Sequence, residues 1–329
     1  MKIAVVGSYG VGMTMRLPRV PGPGETLQGG AYASGPGGKG SNQAIGMARL
    51  GAEVSLLTAV GPDSLAAQAR ELWRDEGVGA EHVVTGLKPT MVGFILVEAS
   101  GENRIIIAPG ALDELTPDHV EAFRESIRDA DMLVVSMEIP LDAVAAALRI
   151  AKQEGTPVLL NPAPAALLPE ELWGLIDYIT PNESEAPVLL GLPGDHGLGS
   201  ADLVALMRAR TKATIVLTLG ADGDAVDSGF GITLVRAIPA ARVVDTTGAG
   251  DSFTAALAVA LVAGEPLESA VLRAAAAGCH AVTIEGVIDA LPTAQETDAV
   301  IERHRSDNLP GSPALAPNQP LTETEESPS

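Results

Sequence analysis

The sequence predicts an α/β protein in which a mainly parallel central sheet is covered by helices on both faces. Short, buried-type apolar runs alternate along most of the chain with amphipathic segments of helical length. Aromatic residues make up only 3% of the chain, and its many small side chains suit tight packing of helices on a sheet. Hydrophobic residues make up 46% of the 329 residues, which is enough for a sizeable core.

Each predicted element is a segment whose hydrophobic pattern fits one type of secondary structure. Short apolar runs indicate strands, and longer amphipathic segments indicate helices. In chain order these are strand KIAVVG, helix 41–50, strand EVSLLTAVG, helix 64–76, strands MVGFILVEA and NRIIIAPG, helix 117–129, strand MLVVSME, helix 141–154, strands TPVLLNP and DYITPN, helix 200–210, strand ATIVLTLG, and helices 251–263 and 267–284.

Two segments interrupt this alternation and predict a small separate β-sheet. Residues 14–34 are rich in proline and glycine, and residues 90–108 indicate two strands around the turn ASGEN. We expect a flap built from segments near 10–35 and 88–110, appended to a single domain over 1–306. The segment 307–329 is rich in Pro, Ser and Glu, a composition typical of a disordered tail.

Charge and cysteine content exclude several classes of function. The net charge of −21 argues against nucleic acid or an anionic membrane surface as partner. The only cysteine, Cys279, lies in an apolar run, which indicates a buried thiol and a reducing compartment. The N-terminus lacks the pattern of a signal peptide, and the longest apolar helical stretch, 253–263, is too short to span a bilayer. We therefore expect a cytoplasmic protein.

Glycines follow the first predicted strand, but their spacing does not fit a dinucleotide site. Gly7, Gly10 and Gly12 run opposite to the Gly-x-Gly-x-x-Gly order, and the proline-rich residues that follow cannot open a helix. A nicotinamide oxidoreductase is therefore disfavoured.

A second glycine-rich stretch, SGPGGKGSNQAIGMARLG, does not match the P-loop motif. Gly40 follows Lys39 where a P-loop has Ser or Thr, and Ala33 stands at the first glycine position. What remains is a flexible loop able to approach a ligand, leading into a helix that begins near Ser41 with Asn42 and Gln43 in its first turn. An ordinary loop with a helix cap explains the stretch equally well.

The stretch VVDTTGAGDSFTAALAVAL predicts an anion site. Gly248, Ala249 and Gly250 lead directly into an apolar helix, whose free N–H groups and dipole favour negative charge. Asp251, in the first turn, could merely complement that dipole. Alternatively, its carboxylate could accept a proton from a hydroxyl that attacks a phosphate.

Two further motifs lie at the carboxyl ends of predicted strands, where α/β sheets bind ligands. Asn182 and Glu185 are three residues apart at the start of a helix, a spacing that ordinary helix capping also explains. Thr218 lies near the end of a buried strand that runs into a glycine turn.

Taken together and in this order, the motifs resemble the PfkB, or ribokinase, family of carbohydrate kinases from about Lys2 to about Pro292. GGKGSNQAIGMARLGAEVSLLTAVGPD is similar to the N-terminal signature of that family, and DTTGAGDSFTAAL to its C-terminal signature. Between them, SMEIP, LNPAPA, TPNESEA and LTLGADG resemble ribokinases more closely than distant members.

The resemblance implies a ribokinase-like three-layer α/β/α fold with a β-sheet lid. It also implies a phosphotransferase with an alcohol acceptor, which uses ATP and Mg²⁺ to phosphorylate a sugar hydroxymethyl group. The lid of ribokinases pairs two subunits, so the resemblance implies a homodimer. Many members use a monovalent cation, which implies K⁺ as a further cofactor.

Site residues follow from the resemblance motif by motif. It implies Asp251 as general base and Gly248, Ala249, Gly250 and the Asp251 amide as the anion hole. The sugar site would be lined by Gly38, Lys39, Asn42 and Glu138. The nucleotide and Mg²⁺ side would use Asn182, Thr218, Gly220 and, indirectly, Glu185. The monovalent cation loop would include Asp245, Thr247, Ala281 and Gly286, with Ala290 where the family has a side-chain hydroxyl.

One departure bears on the substrate. Gly10 and Gly12 stand where ribokinases carry an Asn and an Asp that bind sugar hydroxyls. Because a hydrogen bond to a charged group contributes about 1.5–3 kcal/mol, its loss should weaken binding of such a sugar about 10- to 100-fold. Three hypotheses follow: the substrate lacks or rearranges those hydroxyls, it is bulkier, or another side chain supplies the contact. A nucleoside kinase of the same fold and a catalytically silent sensor are the alternative functions.

Overall fold

The computed structural model describes residues 1–100 and 103–307, which form a nine-stranded sheet, a four-stranded sheet and a two-stranded pair. The predicted tail falls outside the described residues except for Asp307, which ends the last helix, and the ASGEN turn falls partly outside them.

The strands are short, and most belong to the nine-stranded sheet. They are β1 (Lys2–Val6), β2 (Gly10–Leu17), β3 (Tyr32–Gly37), β4 (Glu53–Leu57), β5 (Ala59–Val60), β6 (Val78–Gly79), β7 (Val84–Thr85), β8 (Met91–Glu98), β9 (Asn103–Ala108), β10 (Met132–Ser136), β11 (Val158–Asn161), β12 (Tyr178–Ile179), β13 (Thr214–Thr218), β14 (Asp224–Asp227) and β15 (Ile232–Val235).

The order in the large sheet is β15-β14-β13-β12-β11-β10-β1-β4-β6. All pairs from β13 to β6 are parallel, and β14 and β15 are added antiparallel at one edge. The central strands β1, β10 and β11 are almost wholly buried, as expected for a sheet covered on both faces. The mainly parallel sheet predicted from the sequence is confirmed.

Helices cover both faces of this sheet. They are α1 (Lys39–Arg49), α2 (Ser64–Asp75), α3 (Pro117–Ala122), α4 (Arg124–Arg128), α5 (Leu141–Glu154), α6 (Glu170–Trp173), α7 (Glu185–Leu190), α8 (Ser200–Arg208), α9 (Ala249–Val262), α10 (Leu267–Ala281) and α11 (Ala294–Asp307). One buried cluster includes apolar residues of α3, α5 and α8, and a second includes those of α1, α2, α9 and α10. The three-layer arrangement is therefore confirmed.

The predicted helices differ from the observed ones mainly at their ends. Helix 141–154 is found with the same bounds, and the helix expected near Ser41 begins two residues earlier, at Lys39. The predicted helix 117–129 is wrong as one element, because it is divided into α3 and α4 at the fully buried Phe123. The run EVSLLTAVG is likewise two strands, β4 and β5.

The predicted flap is the four-stranded sheet, with strand order β3-β2-β8-β9; we call it the lid. β2 pairs antiparallel with β3 and parallel with β8, and β9 completes the sheet. β2 begins directly after the loop that follows β1, and β3 ends at Gly37, directly before Gly38 and α1. In the described parts of the chain, no helix has the length and apolarity needed to cross a bilayer.

Candidate active site

The site motifs converge at the carboxyl edge of the large sheet. Ser8 follows β1, Glu138 follows β10, Asn161 ends β11, and Asn182 lies just beyond β12. Because these strands are parallel neighbours, their ends bring residues distant in sequence to one edge. The N-termini of α1 and α9 face the same edge, since their first turns hydrogen-bond to each other.

Gly7 and Gly40 allow the loop after β1 to pack directly against the start of α1. A Cβ at Gly40 would lie 2.5 Å from the Ser8 backbone N and 2.6 Å from the Gly7 carbonyl C. A Cβ at Gly7 would lie 2.8 Å from the Gly40 Cα. The glycine after β1 therefore serves a close backbone approach rather than a phosphate cradle.

The Glu138 carboxylate connects this loop to α1. Its Oε2 accepts hydrogen bonds from the Ser8 hydroxyl and, at 2.8 Å, from the backbone N–H of Lys39. Because the side chain is only partly buried, its other oxygen is left for a ligand. Glu138, Gly38 and Lys39, all predicted sugar contacts, are thus neighbours.

Asp251 is held by two side-chain amides from the first turn of α1. The Asn42 Nδ2 donates to one carboxylate oxygen at 2.8 Å, and the Gln43 Nε2 donates to the other at 3.0 Å. Gln43 also donates to Asn161 Oδ1 at 3.0 Å, and the Asn161 amide donates to the Thr180 carbonyl at 3.3 Å. These bonds fix the orientation of a carboxylate that is 7% exposed.

The side-chain oxygen of Asn42, Oδ1, is buried and has no hydrogen-bond partner among the described residues. Buried acceptors without partners are rare in native proteins and often indicate a missing ligand or water. This oxygen belongs to the same side-chain amide that donates to Asp251.

Lys39 supplies positive charge among carboxylates from three other elements. Burial lowers the pKa of Lys39, but the negative charges of Asp251, Glu138 and Glu185 outweigh that effect, so its pKa is raised overall. The ammonium group therefore stays charged at neutral pH. It offsets the repulsion between these carboxylates and can attract a phosphate.

The N-terminus of α9 exposes backbone N–H groups next to Asp251. Gly248 precedes the helix at φ 82°, in the left-handed region that favours glycine. Among the described residues, the N–H groups of Gly250 and Asp251 have no backbone partner, whereas that of Ala249 makes a 3.3 Å bond to the Thr246 carbonyl. A Cβ at Gly250 would have no heavy atom within 4 Å, so there is open space for a ligand.

Asn182 and Glu185 form reciprocal cap bonds. The Asn182 Oδ1 accepts the Glu185 N–H at 2.9 Å, and the Glu185 carboxylate accepts the Asn182 N–H at 2.9 Å. Burial raises the pKa of Glu185, and the bond from Asn182 and the charge of Lys39 offset this only in part. Helix capping therefore explains these two hydrogen bonds. The electrostatic effect of Lys39 on the pKa of Glu185 indicates that Glu185 also lies near the site.

Thr218 and Gly220 form the next part of this edge. Thr218 forms an isolated parallel β-bridge with Asn182, and the Thr218 N–H donates to the Pro181 carbonyl at 2.9 Å. Gly220, two residues further, is exposed in a left-handed turn at φ 59°. The predicted nucleotide residues are thus adjacent to one another.

The predicted cation loop is brought together around Asp245. One Asp245 oxygen accepts from the N–H and hydroxyl of Thr247, and the other from the N–H of Gly286 at 3.1 Å. Burial raises the pKa of Asp245, but these hydrogen bonds outweigh it, so its pKa lies below the usual range. Ala281 ends α10 nearby, and Ala290 is fully buried with no hydroxyl to offer.

Gln43, Asn161 and Ser8 were not predicted as site residues. Each acts through another side chain, so no motif spacing marks it. Gln43 follows Asn42 directly, and the only available signal was a second amide in a helical first turn. Across residues 1–100 and 103–307, no three His, Cys, Asp or Glu side chains gather closely enough to hold a metal ion.

The chain is similar in sequence and in structure to known carbohydrate kinases. A family model described as pfkB family carbohydrate kinase matches residues 2–294. The ribokinase of Haemophilus influenzae is 35% identical over 301 residues, covering 91% of this chain and 98% of that protein. The deoxyribokinase of Salmonella typhimurium is 31% identical over 304 residues, covering 90% and 97%. The Arabidopsis thaliana ribokinase complexed with ribose and ATP is similar with a TM-score of 0.85 and 31% identity, covering 91% and 98%.

Proposed function

Because the chain belongs to the pfkB family of carbohydrate kinases and is a sugar kinase of the ribokinase type, we propose that it transfers the γ-phosphate of ATP to the hydroxymethyl group of a sugar. In this proposal Asp251 is the general base. Similarity to a ribokinase whose structure contains ribose and ATP supports the choice of phosphate donor.

The observation that carries the proposal is the oriented carboxylate of Asp251 at the N-terminus of α9. Asn42 and Gln43 each donate one hydrogen bond to it, and unpaired N–H groups of the helix lie beside it. A base and an anion site next to each other are what in-line phosphoryl transfer requires.

The reaction then proceeds as one displacement. The sugar hydroxyl attacks the γ-phosphorus, a new P–O bond forms, and the bond to the β–γ bridging oxygen breaks, so ADP leaves. The hydroxyl proton moves to a carboxylate oxygen of Asp251. The N–H groups of Gly250 and Asp251 stabilise the negative phosphoryl oxygens, and Gly248 and Ala249 form the turn that presents these groups.

The sugar is held from the opposite side by α1 and β10. The partly exposed Glu138 accepts a sugar hydroxyl through its unengaged oxygen, and Asn42 lies between this contact and Asp251. Lys39 and Gly38 complete this surface, and the charge of Lys39 also favours the incoming phosphate.

Nucleotide and Mg²⁺ belong on the side of β12 and β13. Asn182, Thr218 and Gly220 would contact the nucleotide, and Mg²⁺, when bound with ATP, would neutralise charge on the phosphates. Mg²⁺ usually keeps several waters and binds substrate phosphates. The carboxylate of Glu185, held by the Asn182 N–H, fits an indirect role through water.

The test is an ADP-release screen over pentoses, ketohexoses, deoxysugars, sugar acids and nucleosides. We expect turnover with at least one sugar, and Asp251→Asn should lower kcat about 10²- to 10⁴-fold while the protein stays folded. The exposed Asp289 provides a matched control, since Asp289→Asn should keep normal turnover. Near-normal turnover of Asp251→Asn would remove Asp251 from the mechanism.

The same screen separates the two alternative functions. Turnover restricted to nucleosides would favour a nucleoside kinase. Measurable ATP binding without turnover of any acceptor would favour a catalytically silent sensor.

K⁺ activation remains part of the proposal. Asp245, Thr247, Ala281 and Gly286 would hold the ion, and oxygen atoms are the ligands that hard cations prefer. The loop fits only in part, because hydrogen bonds already engage the Asp245 carboxylate and Ala290 offers no oxygen from its side chain. Rates measured in K⁺ and in tetramethylammonium salts test this directly, and equal rates would contradict it.

Pairing of two subunits through the lid is also proposed. One face of the lid exposes Met15, Tyr32, Phe94 and Ile106 together, a contiguous apolar surface of the kind that marks interfaces. Phe94→Arg should produce a monomer in sedimentation velocity. Leu87→Arg, at an exposed position outside the lid, should not. A wild-type monomer at micromolar concentration would contradict the proposal.

We further propose that residues 1–306 act as one kinase domain in the cytoplasm, with the lid as part of that domain. The composition and the single, buried cysteine support a reducing compartment. Cooperative unfolding in a single transition is the test of the single domain.

A further inference from the structure

On one face of the lid, the end beside the predicted sugar contacts consists of glycine and aliphatic residues. Gly10 pairs with Met91 on β8 and with Gly37 on β3, and Gly12 pairs with Gly93 and Gly35. Directly paired residues in neighbouring strands share a face of the sheet. This surface, which we call the glycine face, comprises Gly10, Gly12, Gly35, Gly37, Met91 and Gly93; beyond it on the same side of the lid lie Ile95 with its partner Thr14, and then Arg16.

The base of the glycine face adjoins the predicted sugar contacts. Gly38 follows Gly37 directly, and a Cβ at Gly38 would lie 2.6 Å from the Tyr9 Cα and 3.0 Å from the Gly10 N. Met91 belongs to the same buried cluster as Met137 and Ile139, the residues on either side of Glu138. The glycine face therefore meets the site at the end where Glu138 and Lys39 lie.

Met91 fills the space that a side chain at position 10 would occupy. A Cβ built on Gly10 would lie 2.3 Å from the Met91 Cε and 3.0 Å from its Cβ. Met91 is 8% exposed, so its thioether is packed in that space. The absence of a side chain at Gly10 thus leaves no room for a bulkier substrate there and puts an apolar group in place of a polar one.

The remainder of the glycine face is open, and the polar side chains of the same lid face, those of Thr14 and Arg16, begin two residues beyond Gly12. A Cβ on Gly12 would meet only ordinary contacts, the nearest being Ile95 Cδ1 at 3.6 Å. A Cβ on Gly35 or Gly93 would meet nothing within 4 Å. A sugar hydroxyl turned toward Gly10 and Met91 would lose its water and gain no partner from the side chains of these two residues, which is unfavourable.

We propose that Met91 is a specificity-determining residue that selects a deoxysugar, one that turns C–H or methyl groups rather than hydroxyls toward the glycine face. This inference rests on the proposed sugar kinase function and deepens it. An apolar pocket rejects an added hydroxyl only moderately, so the preference in kcat/KM for a deoxypentose over D-ribose should be about 10- to 100-fold.

The experiment compares kcat/KM for D-ribose, 2-deoxy-D-ribose and 3-deoxy-D-ribose in the wild type and in three variants. Met91→Gln keeps the length of the side chain and adds an amide, so it should shift the preference about tenfold toward ribose. Met91→Leu, the apolar control, should keep the wild-type preference. Gly12→Asp puts a carboxylate into the open part of the face and should shift the preference in the same direction without depending on the packing of Met91.

The ratio of kcat/KM values between sugars separates specificity from general damage, because a misfolded fraction lowers every rate equally. Equal wild-type rates for ribose and both deoxypentoses would overturn the inference and leave the sugar kinase function standing. The same preference in Met91→Gln and Met91→Leu, with Gly12→Asp unchanged, would also overturn it. No ADP release with any sugar would overturn the proposed function and the inference with it.

Discussion

The Asp224 carboxylate is buried without a partner, and it should make the stability of the protein depend on pH in a specific way. Asp224 begins β14, is 4% exposed, and forms no side-chain hydrogen bond or ion pair within the described residues. Burial raises the pKa of Asp224 to about 7. Asp227 ends the same strand, is equally buried, and pairs with Arg208 at 2.8 Å.

The magnitude follows from the pKa difference. An unfolded aspartate has a pKa of about 3.9, so a rise to about 7 is roughly three pKa units, or about 4 kcal/mol. The folded state binds the proton more tightly, so the free energy of unfolding falls as the pH rises from about 4 to about 7 and is constant above that. At pH 8 the full penalty acts, and at pH 4 it is absent.

Asp224→Asn removes this titration. The buried amide and the protonated carboxyl of the wild type are both neutral polar groups without a partner, so the variant should be about as stable as the wild type at pH 4 and more stable by about 4 kcal/mol at pH 8. The change in the difference between pH 4 and pH 8, about 4 kcal/mol, does not depend on the cost of the amide.

Urea unfolding at pH 4, 5, 6, 7 and 8, followed by tryptophan fluorescence and circular dichroism, measures these differences. Asp227→Asn is the matched control on the same strand. Burial raises the pKa of Asp227, but the Arg208 ion pair and the Gly229 N–H outweigh it and lower the pKa. That variant should lose about 3 kcal/mol at pH 8, and its loss should shrink at low pH. Parallel curves for wild type and Asp224→Asn across this range would refute the reasoning, because they would mean that Asp224 stays ionised in the fold.

Three further predictions concern the site and its surroundings. Gln43→Leu should lower kcat about tenfold or more with the KM for ATP unchanged, because Asp251 loses a charge-assisted hydrogen bond; a proportional rise in the KM for ATP would contradict a positioning role. Gly40→Ala should abolish sugar binding in calorimetry, since its Cβ would meet backbone atoms at 2.5 Å, whereas Gly174→Ala, with nothing within 4 Å, should bind normally. Burial raises the pKa of the Cys279 thiol, so maleimide should label the native protein far more slowly than the urea-unfolded one, and equal rates would refute its burial.

The hydrophobic pattern predicted most of the large sheet and most helices. Buried residues follow one another directly in the central strands and recur at helical spacing in the helices. β14 and β15 were not predicted, since β15 is an exposed edge strand with little apolar periodicity and β14 carries two aspartates. α11 was missed because only three of its residues are buried. The division at Phe123 depends on the packing of that ring into the core, which a helical pattern does not reveal.

The site could be predicted where a motif and its chemistry coincide in sequence. Asp251, Asn42 and Lys39 lie in such motifs, and the structure brings them together. Gln43 and Asn161 form a chain of hydrogen bonds across residues more than one hundred positions apart, which no local spacing encodes. The capping bonds of Asn182 and Glu185 show the converse case, in which a local rule accounts for the contacts of a pair that also lies near the site.

The glycines after β1 show why residue type alone does not give function. Gly7 is required because backbone atoms of α1 come too close for a Cβ, a reason that lies in main-chain packing. Gly10 has no positive φ, but a Cβ there would lie 2.3 Å from the Met91 Cε and 2.9 Å from the Met91 backbone oxygen. The φ angle of Gly10 therefore does not require glycine, but a larger side chain would need both the thioether of Met91 and the main chain of β8 to shift. Since Gly10 and Met91 share one volume, a substitution at either position is interpretable only together with the residue at the other.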